Sequence, residues 1–235
     1  NRPALFNDIG TETIYEIELE PTGQNFLFAL DYPFSIPNDS RLLTDSQLMS
    51  KNKVNQLRHY TVQSIFKQYN PYEKLSIENL ERLIALPRGY NPKTIALIKN
   101  WKSQNLSPEQ MINKALAMFS FEEFYYSYSP PLLQGNTIDQ FLFDTRSGFC
   151  EHYASAFTIM MRAAGLPARI VTGYQGGILN NDYLLVKQSD AHAWCEVWMD
   201  EKGWVRIDPT AAVAPARLTG DTANELSPEE TAGML

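Results

Sequence analysis

Residues 149–164, "FCEHYASAFTIMMRAA", constrain the fold more than any other stretch of this chain. Phe149, Tyr153, Ala156, Phe157, Met160 and Ala164 recur at helical spacing on one face. Ala154, Ile159, Met161 and Ala163 fill the other faces. A helix that is apolar nearly all round has to lie in the middle of a core. Ser147 and Gly148 are small residues suited to its start, and Gly165 with Pro167 just beyond is the expected stop. Whatever this chain folds into is built around that segment.

The flanks differ in character. After the helix, residues 168–177, 182–188, 192–200 and 203–210 read as four strands at hairpin spacing. Before it, residues 91–104 follow a helical period. Residues 106–119 open with Ser107 as N-cap and Pro108 at the first helical position. "TIDQFLFD" (137–144) reads as a short helix and the aromatic stretch 123–130 as strand-like. Nearer the N-terminus, "ETIYEIELE" (12–20) alternates as a half-buried strand. Residues 25–30, 41–49 and 57–69 read as further strands, and 31–40 as a Pro- and Asp-rich loop. Segregated helices and strands indicate an α+β fold. The expected organisation is a small antiparallel β unit over 1–72, a core over 73–212 and a linker or tail over 213–235.

Bulk properties narrow the function classes. The 235 residues are 44% hydrophobic and 20% charged, ordinary values for a globular protein, with a net charge of −7. No block of Lys or Arg marks a nucleic-acid partner. No stretch reaches the roughly 20 apolar residues of a membrane span. The first residue is Asn, which fits a piece of a longer chain. There are only two cysteines. They do not make a disulfide scaffold, although counting leaves a Cys150–Cys195 pair open.

Cys150 falls in the first turn of the buried helix. Unsatisfied N–H groups and the helix dipole favour an anion there, and the pKa of a thiol so placed can fall from about 8.5 to roughly 3.5–7.5. The same N–H groups can donate to an oxyanion. A lone Cys is more often a small hydrophobe, so the question is whether it has partners. Of three histidines, His59 sits in a surface strand of the N-terminal unit. His152, two residues after Cys150, points to another face of the helix. His192 opens the strand "HAWCEVW", whose alternation puts His192, Trp194, Glu196 and Trp198 on one face and Cys195 on the other. If the turn "DEKG" brings Met199 opposite Gly203, Trp194 faces Asp208, and Asp208 shares the face of His192. Asp190, in the loop before the strand, is a rival orienting acid of second rank. The three roles are those of a nucleophile, Cys150, a general base, His192, and an orienter, Asp208.

At these residues the sequence resembles a known family. "DTRSGFCEHYASAFTIMMRAAGLPARIVTGY" and "DAHAWCEVWMDEKGWVRIDPT" resemble the transglutaminase-like core of the papain-like cysteine enzymes, over residues 137–210. The resemblance implies a central Cys-bearing helix packed on an antiparallel sheet. It places the family's catalytic Cys, His and Asp on Cys150, His192 and Asp208. "EPTGQNFLFALDYP", "RLLTDSQL" and "LPRGYNPKT" resemble the region before the core in bacterial membrane-anchored proteins of the TgpA type. That implies a periplasmic domain of an inner-membrane protein.

The implied chemistry is acyl transfer. A glutamine side chain of a protein or peptide forms a thioester, which a primary amine or water then resolves. Relatives on the same scaffold are peptidases and amidases, and a vestigial binding module of the cell envelope is a third reading. The family's second oxyanion donor has no clear match; Trp101 and Gln140 are candidates. Tyr174, Trp194 and Trp198 are candidates to wall a substrate groove. Animal transglutaminases use calcium, but no EF-hand spacing or dense acidic cluster occurs here, so no metal or other cofactor is expected.

Overall fold

The computed structural model describes residues 11–44, 46–66, 75–200 and 202–214. The chain divides into two units, residues 1–72 and 73–235.

Among its described residues the first unit holds two small antiparallel sheets. Its strands are β1 (Thr11–Leu19), β2 (Phe26–Leu27), β3 (Tyr32–Ser35), β4 (Ser40–Leu42), β5 (Leu48–Ser50) and β6 (Arg58–Phe66). One sheet has the order β1-β6-β3 and the other β2-β5-β4. Leu27, Leu48, Val54, Tyr60 and Val62 form its core. Tyr60 donates its hydroxyl to Phe28 O and accepts from Phe28 N, and burial pushes its pKa up to about 12. The alternation expected in β1 is present: Ile14 and the glutamates point outward, while Tyr15, Ile17 and Leu19 pack inward.

Two readings in this unit are corrected. Residues 31–40 are not a plain loop, because β3 pairs with β6 through a bulge between Pro33 and Ser35. Pro33 can sit there because β3 is an edge strand. Residues 41–49 are not one strand. They fold back on themselves as β4 and β5, with Leu42 opposite Leu48. Residues 67–69 of the expected fourth strand lie outside the described residues.

The second unit contains α1 (Ile77–Ile84), α2 (Pro92–Lys102), α3 (Pro108–Phe121), β7 (Tyr125–Tyr126), α4 (Thr137–Asp139), β8 (Ser147–Gly148), α5 (Cys150–Ala164), β9 (Ala168–Tyr174), β10 (Ile178–Asn180), β11 (Tyr183–Leu185), β12 (Ala191–Met199) and β13 (Gly203–Ile207). The helix α5 is the centre of its core, with Tyr153, Ala154, Ala156, Phe157, Met160 and Met161 inaccessible to solvent. Each large apolar side chain buried there is worth about 1.5–3 kcal/mol. One side of α5 packs on the three-stranded sheet β13-β12-β9, through Ala193, Cys195, Val197 and Met199. The other sides meet α2 and α3 and an aromatic cluster of Phe119, Phe124 and Phe141 around Tyr153. Gly165 ends the helix with φ 91°, a conformation that favours glycine.

The four expected strands are present as β9, β11, β12 and β13, but β11 stays out of the core sheet. Residues 183–185 pair instead with 178–180 in a separate two-stranded hairpin. Its side chains are exposed, so the strands gain nothing from joining the core sheet. The aromatic stretch 123–130 contributes only the two residues of β7, which pair in parallel with β8. The helix expected over 137–144 begins as α4 and loosens into a π-helical segment, Gln140–Thr145. The helix α1 had no counterpart in the sequence reading. Of the tail, residues beyond 214 lie outside the described residues.

One buried capping arrangement holds the helical layer. Asn91 adopts φ 53°, and its Oδ1 accepts from Ile138 N and Asp139 N. Asp139 in turn accepts from Lys93 N, Thr94 N and Thr94 Oγ1 at 2.6–2.8 Å. Each helix thus satisfies the orphan N–H groups of the other.

Candidate active site

The site is assembled at the head of α5. The strand pair β7–β8 holds the approach, with Tyr125 opposite Ser147 and Tyr126 opposite Gly148. Gly148 is required by close packing, since a Cβ there would stand 2.6 Å from Cβ and Cγ of His152 and 3.0 Å from Phe141. Phe149 N donates to His152 Nδ1 at 3.4 Å, so His152 closes the first turn. Burial lowers its pKa, in keeping with a ring nitrogen that accepts. Cys150, 9% exposed, follows as the first helical residue.

The strand β12 brings His192 to this point. Its register with β13 is the one the turn suggested, with Met199 opposite Gly203 and Cys195 opposite Ile207. Continuing that register carries Asp208 to the edge of the imidazole. His192 Nε2 and Asp208 Oδ2 are 2.6 Å apart. Asp208 is also the residue where β13 stops. Pro209 begins a short 3₁₀ turn, and Asp208 Oδ1 caps it by accepting from Thr210 N at 3.0 Å. Both carboxylate oxygens are therefore committed, which fixes the orientation of the group.

The electrostatics follow from this packing. His192 is 7% exposed, and burial works against its charged form. Hydrogen bonds and charge attraction from Asp208 and from Cys150 outweigh burial and push its pKa up to about 9. This setting, between a carboxylate and a sulfur, favours the cationic form of the ring.

The remaining candidates lie elsewhere. Asp190 accepts from Lys187 N at 2.7 Å, within its own loop, and makes no bond to His192. His59 faces Glu18 on the surface of the first unit. Neither cysteine forms a disulfide. Cys195 points away from the site, as alternation requires. Its thiol donates to Ala154 O at 3.1 Å and lies 3.2 Å from Thr158 Oγ1. Burial pushes its pKa up to about 12.

Of the two candidate oxyanion donors, Trp101 is part of the core beneath Lys114. Gln140 accepts through Oε1 from Gln134 N at 2.8 Å, a bond that does not use its Nε2 donors. Tyr174 bonds Gln188 and Trp198 packs edge-on against Trp204. Trp194 stacks beside His192. The two-residue spacing puts both rings on one strand face, and tertiary packing brings the indole beside the imidazole. Among the described residues no group of three or more His, Cys, Asp or Glu side chains is placed to hold a metal ion.

A buried helix headed by a cysteine and packed on an antiparallel sheet defines a class, and the family comparison agrees with it. The chain belongs to the transglutaminase-like superfamily, whose model matches residues 98–209. Residues 1–70 match the TgpA N-terminal domain.

Within that superfamily the chain is similar to TgpA of Pseudomonas aeruginosa. A Pseudomonas aeruginosa protein named protein-glutamine gamma-glutamyltransferase is 42% identical over 211 residues, which are 89% of this chain and 31% of that protein. The crystal structure of the periplasmic domain of TgpA superposes with a TM-score of 0.87 at 39% identity, covering 94% of this chain and 77% of that one. The same domain bound to ethylmercury gives 0.84 at 41%, covering 89% and 76%. The chain also matches the Bacillus subtilis protein YebA, at 38% identity over 95 residues, 37% of this chain and 13% of that protein. The chain thus corresponds to a periplasmic domain and spans about a third of the length of the Pseudomonas protein. No described helix is long and apolar enough to cross a membrane.

Proposed function

We propose that this domain is a cysteine acyltransferase of the protein-glutamine γ-glutamyltransferase type, with Cys150 as nucleophile, His192 as general base and acid, and Asp208 as orienter. The observation that carries it is the imidazole of His192, held between the Asp208 carboxylate and the sulfur at the head of α5.

A cationic His192 beside a sulfur at a helix N-terminus favours the thiolate. The thiolate attacks the carboxamide carbon of a glutamine side chain. The negative charge that develops on oxygen is met by backbone N–H groups of the first turn of α5 and by the helix dipole. His192 gives its proton to the departing nitrogen, and ammonia leaves a thioester on Cys150. A primary amine, or water, loses a proton to the now neutral His192 as it attacks. An isopeptide bond or a glutamate side chain results, and the thiolate–imidazolium pair is restored. Asp208 stabilises the imidazolium and keeps its Nδ1 edge toward the sulfur throughout. The parent protein is read as membrane-anchored, with protein or peptide substrates in the periplasm.

The test is incubation of the domain with casein and a labelled primary amine, with Cys150→Ala alongside. Label on glutamine that depends on Cys150 is the expected result. Deamidation without label assigns the hydrolytic branch, and backbone cleavage assigns a peptidase instead. An unmodified donor together with an unreactive Cys150 overturns the proposal.

A further inference from the structure

Trp194 follows His192 on the same face of β12. Its indole lies 24° from parallel to the imidazole, with ring centres 6.2 Å apart. The far edge of the indole runs over Gly173 of β9, where a Cβ would stand 3.1 Å from Cη2. Arg206 of β13 lies on the indole, with Cζ 4.1 Å from its centre. The Arg206 Nη2 donates to Gln175 Oε1 at 2.6 Å, just beyond β9. All three strands of the core sheet thus contribute: β12 the two rings, β9 a gap and an anchor, β13 the guanidinium.

The contact with Asp208 leaves one freedom open. A single hydrogen bond fixes the position of Nε2 but not the tilt of the ring about the Nε2–Oδ2 line. Tilt carries Nδ1 off the sulfur, and small misplacements of a reacting group cost rate steeply. A flat, nearly parallel ring beside the imidazole limits that tilt. An indole face also favours a neighbouring cation. The charged and titratable groups around the ring are Asp208 after β13, Cys150 at the head of α5 and, on the indole, Arg206. On β9 the residue paired with His192 is Gly173, which carries no charge.

We propose that Trp194 is a positioning residue for His192, seated in the gap at Gly173 and held there by Arg206, and that it sets the ring plane in which the imidazole meets Cys150. This rests on the reading of Cys150 and His192 as nucleophile and base. Cross-strand packing alone would affect stability but not the reactivity of the thiol.

The test is alkylation of Cys150 by iodoacetamide from about pH 5 to about pH 9, read by peptide mass spectrometry. It compares the wild-type domain with Trp194→Leu, Trp194→Phe and Arg206→Met, each checked for native circular dichroism. In Trp194→Leu the rate near pH 6 falls by about tenfold or more, and the acid limb of the profile moves up. Trp194→Phe, which keeps a flat face, stays within about threefold of wild type, and Arg206→Met is slowed about threefold. A folded Trp194→Leu protein with the wild-type profile overturns the proposal, as does a folded Trp194→Phe protein as slow as the Leu variant. Should Trp194→Leu not fold, a wild-type rate in Arg206→Met overturns it. The underlying reading fails separately, if the wild-type thiol is no faster than free cysteine near pH 6.

Discussion

Asp208 presents one carboxylate oxygen to His192 at 2.6 Å and the other to the backbone of Thr210 at 3.0 Å. One residue thereby both ends the last strand and aims the imidazole. The strand end and the partner of the imidazole are the same residue because Pro209 cannot extend the ladder, and the turn it starts needs a capping acceptor.

Replacing that carboxylate separates its two tasks. Asp208→Asn keeps an oxygen for Thr210 N but loses the charge that favours the imidazolium. The His192 pKa should fall from about 9 toward its ordinary value near 6.5. Since the proposed mechanism needs protonated His192 for ammonia to leave, wild-type acyl transfer is lost as pH rises through about 9. In Asp208→Asn the alkaline limb moves to lower pH, and the turnover number drops about 10²–10⁴-fold. A pH–rate profile of ammonia release checks both, and an unmoved alkaline limb would sink the assignment.

The two thiols should differ sharply. Burial drives the Cys195 pKa up to about 12, while Cys150 faces a cationic imidazole. Iodoacetamide near neutral pH should label Cys150 alone in the native protein, and both in denaturant. Peptide mapping decides it, and early label on Cys195 would contradict the burial argument.

Gly148→Ala places a methyl group 2.6 Å from Cβ and Cγ of His152. The first turn of α5 must shift, and Cys150 shifts with it. Overpacking of this kind costs about 1–3 kcal/mol. The expected outcome is a lower urea midpoint with a larger loss of activity than the stability change explains. An active, fully stable variant would show that the contact relaxes freely.

Asp139→Ala removes the acceptor of three bonds at the head of α2. Losing the cap and leaving buried donors unsatisfied costs about 2–4 kcal/mol. Because Asp139 touches none of the candidate site residues, activity per folded molecule should be unchanged. Chemical denaturation paired with active-site titration of Cys150 separates the two effects.

Legibility in the sequence followed the range of the interactions. The helix over 149–164 and the register of 192–199 against 203–207 were readable because periodicity, a Gly stop and a short turn are local. That register is what brings Asp208 to His192. The loop reading of 31–40 failed because Pro and Asp suggest a turn, yet an edge position beside β6 tolerates Pro33. Which of the four strands join the core sheet was not readable, because "DYLLVKQ" looks the same whether its apolar residues meet a core or solvent. Tertiary packing left them exposed.

By itself, then, the sequence determined the central helix and the strand register that follows it, and that a cysteine heads a helix too apolar to be anywhere but the core. Only the tertiary structure decided what meets at that helix head. The contacts that matter there join strands of the core sheet: Trp194 to Gly173 and Arg206 to Gln175. Such contacts depend on how layers stack, not on any pattern along the chain.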